Sequence, residues 1–269
     1  MSANNGLVLV DSHCHLDFDE LESDFEDVLS RARAAGVCRF VNIGIQVSRH
    51  QYALQRTQNH DDIFHSVGTH PHWAAEENDV TAEQLVALTA HPKVIGIGEV
   101  GLDRILTDAP WDAQMRNLLV HIDAARRTQL PLIIHSVGED REMEATLRRA
   151  DAEGRFPVVM HCFSGGWDLA RANLELGHYI SFSGLLTHDG REALHEIAAQ
   201  LPADRILLET DAPSLAPKPF ENQRNEPAHI VHTLDFLAQL RGVSRNALAA
   251  QTTENFFRVF KKAPRPHAP

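Results

Sequence analysis

Leu7-Val8-Leu9-Val10-Asp11-Ser12-His13-Cys14-His15 is the first regular stretch of the chain, and the way it ends governs the reading of the rest. Four apolar residues make a strand, and the strand runs straight into an acid, a hydroxyl and two histidines. Residues two apart on an extended backbone face the same side. His13 and His15 therefore share a face and can share a metal ion, while Cys14 turns away and reads as a small buried residue.

The same pattern recurs along the chain. Strand-like runs follow at Cys38 to Ile43, Ile63 to Val67, Lys93 to Ile97, Leu132 to Ile134, Pro157 to Met160, Tyr179 to Phe182 and Arg205 to Leu208. Helical patterns lie between them, at Leu21 to Ala35, around Arg49 to Asn59, Ala82 to Ala90, Asp112 to Thr128, Arg141 to Ala150, Leu169 to Leu176 and Arg191 to Gln200. Gly36 and Gly177 stand at helix C-terminal stops. Two more helices, near Pro227 to Leu240 and Arg245 to Phe260, follow the eighth strand. Near-continuous apolar strands alternating with helices require a parallel sheet covered on both faces. Eight such units in 269 residues point to a closed α/β barrel, a single (β/α)₈ TIM barrel with extra C-terminal helices. The expected domain spans residues 1–262, and the proline-rich stretch 263–269 is expected to be a disordered tail.

Barrels of this kind place their active sites at the C-terminal ends of the strands. Here those ends are polar. The first carries His13 and His15, the fourth Glu99, the fifth His135, the sixth His161 and the eighth Glu209-Thr210-Asp211. Any one of these has an ordinary explanation. With 17 histidines in the chain, about one His-x-His is expected by chance. The conjunction on five separate strands argues for a metal centre made of His13, His15, Glu99, His135, His161 and Asp211. Glu209 shares a face with Asp211 and is expected behind the ligands, orienting one of them. His70 and His72 flank Pro71, which disturbs simple strand geometry, so they are read as facing substrate. Cys162 is read like Cys14.

Composition narrows the classes. Acidic residues outnumber basic ones 37 to 25, for a formal net charge of -12. That counts against a long track on duplex nucleic acid, which needs a basic surface, but not against a site that grips one or two phosphates. Three cysteines give no disulfide framework, and no segment resembles a signal peptide or a membrane span, so a cytoplasmic setting with no membrane partner is expected. Nothing in the chain indicates an obligate protein partner.

The motifs taken in order resemble the TatD family of metal-dependent deoxyribonucleases, within the amidohydrolase-like barrels. They are Asp11-Ser12-His13-Cys14-His15, Gly68-Thr69-His70-Pro71-His72, Gly96 to Asp103, Pro131 to His135, His161-Cys162-Phe163-Ser164-Gly165, Leu208 to Pro213 and Arg224-Asn225-Glu226-Pro227. The resemblance implies that His13 and His15 bind one divalent ion and that His135 and His161 bind a second. It makes Glu99 the bridge between them, and has Asp211 complete the ligands of the first ion while taking the proton of the attacking water. It implies Mg²⁺, with Mn²⁺ or Zn²⁺ also suited to a histidine-rich donor set. Glu99 stands where many related barrels use a carboxylated lysine. Two segments depart from the family pattern: Arg104-Ile105-Leu106 replaces an aromatic residue and a longer polar loop, and Phe220-Glu221-Asn222-Gln223 is weakly basic.

The expected activity is 3′–5′ exonucleolytic hydrolysis of single-stranded DNA or DNA ends by a water activated between two metal ions. Asp211 and Glu99 are its catalytic candidates. Arg224, with Arg104 and His72, is expected to hold phosphate oxygens. The alternative is a carbonyl hydrolase on the same scaffold, such as a D-aminoacyl-tRNA deacylase, since loops set the chemistry of a barrel. A non-catalytic barrel would show a lost ligand, and none is lost.

Overall fold

Neighbouring residues on the strands send their side chains to opposite faces, and in this chain both faces are apolar. A computed structural model describes residues 6–266. Its strands are β1 (Leu9–Cys14), β2 (Val37–Asn42), β3 (Ile63–Val67), β4 (Val94–Asp103), β5 (Leu132–Val137), β6 (Val158–Met160), β7 (Tyr179–Phe182) and β8 (Ile206–Leu208). Each pairs in parallel with the next, in sequence order. The helices are α1 (Phe25–Ala34), α2 (His50–Thr57), α3 (Ala82–Leu88), α4 (Trp111–Thr128), α5 (Asp140–Glu153), α6 (Trp167–Leu176), α7 (Glu192–Gln200), α8 (Ile230–Arg241) and α9 (Arg245–Val259). This is the expected eight-stranded parallel barrel wrapped by helices.

Two cores result from the alternation. Leu9, Phe40, Ile63, Leu132, Val158 and Ile206 pack outward against the helices. Their immediate neighbours Val10, Val41, Phe64, Ile133, Val159 and Leu207 pack into a second cluster with Phe256 and Phe260. The two phenylalanines come from α9 and the residue after it. Asn255 on that helix donates to the Ile206 and Ala203 carbonyls, and Thr253 donates to the Val8 carbonyl, so α9 seals the N-terminal end of the barrel. Full burial of Phe260 contributes about 1.5–3 kcal/mol.

Local signals set the helix limits. Thr81 and Gln84 form a reciprocal capping box at the start of α3. Gly177 ends α6 in the left-handed region at φ 82°. The helix expected from Leu21 to Ala35 divides, with a 3₁₀ turn over Asp19–Asp24 ahead of α1. The one expected from Pro227 likewise opens on a 3₁₀ turn, Pro227–His229.

The strands bearing the candidate ligands run further than the apolar pattern suggests. β1 starts later than Leu7 and continues through His13 to Cys14. β4 continues past Ile97 to Asp103, so Glu99 lies within a strand. Glycine permits that extension: a Cβ on Gly101 would collide with the His135 carbonyl oxygen, and one on Gly98, at φ 114°, with that of Ile133. β4 can therefore keep pairing with β5, across a bulge between Ile97 and Val100, as far as Asp103 opposite Val137.

The seam between β8 and β1 is joined by the residues that follow β8. Asp211 N donates to the His13 carbonyl at 2.9 Å, and His15 N donates to that of Ala212 at 2.7 Å. Asp11 accepts from Thr210 through its amide, at 3.0 Å, and through its hydroxyl, at 2.5 Å. The stretch expected to be a disordered tail, 263–269, is described as far as residue 266. Ala263 is buried in the inner cluster and Arg265 pairs with Glu254, because the chain after α9 continues to cover apolar surface. Residues 267–269 lie outside the described region.

Candidate metal centre

The C-terminal mouth of the barrel holds what the strands deliver there. On β5 and β6 the alternation that sends Ile133 and Val159 inward also sends His135 and His161 inward, two residues further on. Glu99 comes from the middle of β4. His13 and His15 come from the end of β1, and Asp211 from the seam. Asp211 adopts φ 58°, a left-handed conformation that aspartate tolerates better than most residues.

Glu99 sits at the centre, 2% exposed. Its Oε1 lies 3.1 Å from His135 Nδ1, 3.3 Å from His161 Nε2 and 3.5 Å from His70 Nε2. Its Oε2 lies 3.4 Å from His13 Nε2 and 4.0 Å from His15 Nε2. Asp211 Oδ1 lies 3.4 Å from His13 Nε2 and 3.2 Å from His15 Nε2. The donor atoms fall into three groups, each spanning no more than 4.8 Å: His13 with Glu99 and His161, His13 with His15 and Asp211, and His70 with Glu99 and His135.

These residues fit divalent ions, and the hydrogen bonding supplies the test. His161 Nδ1 donates to Glu209 Oε1 at 2.9 Å, which leaves the Nε2 lone pair aimed at Glu99. His135 Nε2 donates to Asp103 Oδ2 at 2.8 Å, which leaves the Nδ1 lone pair aimed at the same carboxylate. Lone pairs facing a buried carboxylate need a cation between them. Among the described residues, His13 Nδ1 and Nε2 and His15 Nδ1 are buried without a hydrogen-bond partner, a costly arrangement unless a ligand is bound. Imidazole and carboxylate together suit first-row divalent metals.

The electrostatics point the same way. Burial pushes the Glu99 carboxyl up, but His161, His70 and His13 outweigh it and hold the group well below the usual carboxylate range. Burial opposes a charge on His161, yet Glu209 and Glu99 raise it to about 10. The same carboxylates that would attract a metal ion thus favour a cation at His161, whereas burial keeps His13 toward the neutral form.

The remaining site expectations divide. Glu209 stands behind His161 and also accepts from the Cys162 amide at 2.6 Å. His70 lies inside the cluster. Its Nδ1 accepts from the His72 amide, so its Nε2–H points toward Glu99, and burial lowers it to about 3, leaving the ring neutral. His72 is exposed on the rim, where its Nε2 donates to the Leu106 carbonyl at 3.1 Å. The 3₁₀ turn at Pro71–Trp73 carries His72 to the rim with its ring edge-on to that of His70.

Arg224 donates to Asp24 through both terminal nitrogens, at 2.7 and 2.8 Å, and to the Glu20 carbonyl. Arg104 pairs with Glu139 and stacks 3.9 Å above the Trp111 ring. Both guanidinium groups are engaged by nearby carboxylates rather than left free for phosphate. Asp103 was missed as a site residue, although alternation along 99, 101 and 103 places it on the face of Glu99. Asp11, two residues before His13, carried the same signal. Cys14 behaves as expected, fully buried with Sγ directed to the Val41 carbonyl.

Known proteins resemble this chain along nearly its whole length. The family model for TatD-related DNases matches residues 10–261. The metal-dependent hydrolase YabD of Bacillus subtilis is 34% identical over 94% of this chain and 99% of its own length. The metal-dependent hydrolase YcfH of Escherichia coli is 35% identical over 94% of this chain and 96% of its own. The crystal structure of the Escherichia coli TatD homologue YjjV superposes with a TM-score of 0.87 at 31% identity, covering 94% of this chain and 98% of that one. From the barrel, the cluster at its mouth and these relatives together, the chain belongs to the TatD family of metal-dependent hydrolases.

Proposed function

We propose that this hydrolase cleaves phosphodiester bonds, removing nucleotides from the 3′ end of single-stranded DNA with the help of two divalent ions. The observation that carries the reading is Glu99, one buried carboxylate whose two oxygens face different histidines, His135 and His161 on one side and His13 on the other. A carboxylate shared in this way suits two adjacent cations. The family's description as a DNase supports the substrate class.

In this reading His13, His15 and Asp211 would hold one ion and His135 and His161 the other, with Glu99 available to both groups. The ions, Mg²⁺ or on this donor set Mn²⁺ or Zn²⁺, supply Lewis-acid stabilisation of charge on the phosphoryl group and lower the pKa of water. The protein supplies position and proton transfer. Asp211 Oδ1, between the two β1 histidines, takes the proton of the attacking water. Glu209 keeps His161 in the tautomer that presents Nε2. His70 offers a neutral N–H to an oxygen beside Glu99. The formal charge of -12 favours short or terminal substrates over a duplex interior.

One observation favours a second reading. Arg104 and Arg224 are both paired with carboxylates, so no guanidinium is committed to phosphate at the mouth by either of them. A carbonyl hydrolase, such as a D-aminoacyl-tRNA deacylase, would need none. The deciding assay follows a 5′-labelled single-stranded oligonucleotide, with a circular single strand as control and Mg²⁺ or Mn²⁺ added. Stepwise shortening of the linear strand by the wild type, with kcat about 10²- to 10⁴-fold lower in Asp211→Ala, is the expected result. Equal cleavage of the circle would remove the exonuclease assignment. No cleavage with any ion, alongside hydrolysis of an aminoacyl ester, would replace phosphodiester chemistry with the carbonyl reading.

A further inference from the structure

Behind His135 stands a carboxylate to which the activity assigns no role. Asp103 is the last residue of β4 and is fully buried. Its two oxygens serve different partners. Oδ2 accepts from His135 Nε2 at 2.8 Å. Oδ1 accepts from the amides of Ile105 and Leu106, each at 2.8 Å. The backbone of Asp103 is fixed as well: Gln114 on α4 donates to its carbonyl at 3.0 Å and accepts from its amide at 2.8 Å.

The loop held by Oδ1 borders the cluster. Its Leu106 carbonyl accepts from His72, whose ring meets that of His70 edge-on at 4.6 Å. Ile105 and Leu106 are 68% and 63% exposed, an apolar lip beside a polar site. One carboxylate thus ties a ring of the metal cluster to the loop at its rim.

We infer that Asp103 is a positioning residue: it fixes the tautomer and orientation of His135, so that Nδ1 offers its lone pair toward Glu99, and locks that ring to the Ile105–Leu106 lip. This rests on the reading of His135 as a metal ligand. A histidine ligand needs its distal N–H held by an acceptor, since otherwise the ring can rotate or protonate the wrong nitrogen. Asp103 plays for His135 the part that Glu209 plays for His161.

Asp103→Asn isolates the effect. The amide oxygen can still accept from Ile105 and Leu106, while its NH₂ group now faces Nε2 and favours the opposite tautomer of His135. The full-length metal-free protein is titrated calorimetrically with Mn²⁺ alone, and ¹⁵N-resolved spectra of the histidine side chains are recorded at a pH where the His135 ring is neutral. The expected result is a roughly 10- to 100-fold loss of affinity at one of two sites, with the His135 proton moving from Nε2 to Nδ1. A thermal melt establishes that the variant is folded. In a His135→Ala background, Asp103→Asn is expected to cause no further loss. Wild-type Mn²⁺ affinity and an unchanged tautomer in Asp103→Asn, with affinity lost in His135→Ala, would overturn the inference about Asp103 alone. Full affinity in His135→Ala would instead remove the ligand reading on which it rests.

Discussion

The interior of this barrel has two ends built from the same strands. At the N-terminal end Val10, Val41, Phe64, Ile133, Val159 and Leu207 meet Phe256 and Phe260, and that layer is hydrocarbon throughout. Two residues further along β5 and β6, about 6.6 Å at the rise of an extended chain, the inward positions are His135 and His161, facing Glu99. The lower layer stabilises by burial. The upper one keeps buried nitrogens without partners, which costs stability in the metal-free protein. The difference teaches that the lower layer is the one that can carry the stability of the barrel, leaving the mouth free to hold groups that only a ligand satisfies.

The largest effect that could break this division comes from the sealed end. Phe260→Ala is expected to lower the free energy of unfolding by about 3–5 kcal/mol in urea titrations, while Mn²⁺ affinity and kcat of the folded fraction stay close to wild type. A large fall in kcat with stability retained would show that the two ends are not separable.

A smaller and graded effect separates the histidines of the mouth from those of the shell. Burial lowers His65 and His178 to about 3, and His50 and His121 to about 4, in each case without a carboxylate that outweighs it. His65 contacts the Thr57 hydroxyl, and His121 accepts from the Thr69 amide. In the unfolded chain these rings take up protons near pH 6.5. Their folded values are depressed, so their contribution to stability is complete above pH 6.5 and is lost as pH falls toward about 4 and then 3. Unfolding free energies measured across that window should fall with acid, and His121→Gln should flatten the slope. An unchanged slope in that variant would mean that His121 does not contribute.

The smallest effect is expected at the rim. Because Arg224 is held by Asp24 and the Glu20 carbonyl, Arg224→Ala should change stability by no more than about 1 kcal/mol and leave KM for an oligonucleotide nearly unchanged. A large rise in KM with kcat intact would show that the arginine leaves Asp24 to hold substrate, and would extend the working surface beyond the cluster.

Much of this was legible in the chain by itself. The alternation of β-branched runs with amphipathic segments fixes eight strand–helix units, because a strand covered on both faces must be apolar at every position. The period of two then dictates that, on β5 and β6, a histidine two places beyond an inward aliphatic residue also faces inward. That Glu209 shares the inward face of Asp211 follows from the same rule. Tertiary structure alone decided which distant side chains meet. That β4 continues through Glu99 to Asp103 depends on β5 lying alongside two glycines. That Asp103 holds His135, that Asp11 bonds Thr210 across the seam, and that Arg224 is taken by Asp24 all depend on partners 32, 199 and 200 residues apart. Local sequence carries the direction in which a side chain points; the choice among several acids within a long arginine's reach, or the register of two strands, is made only when the elements pack.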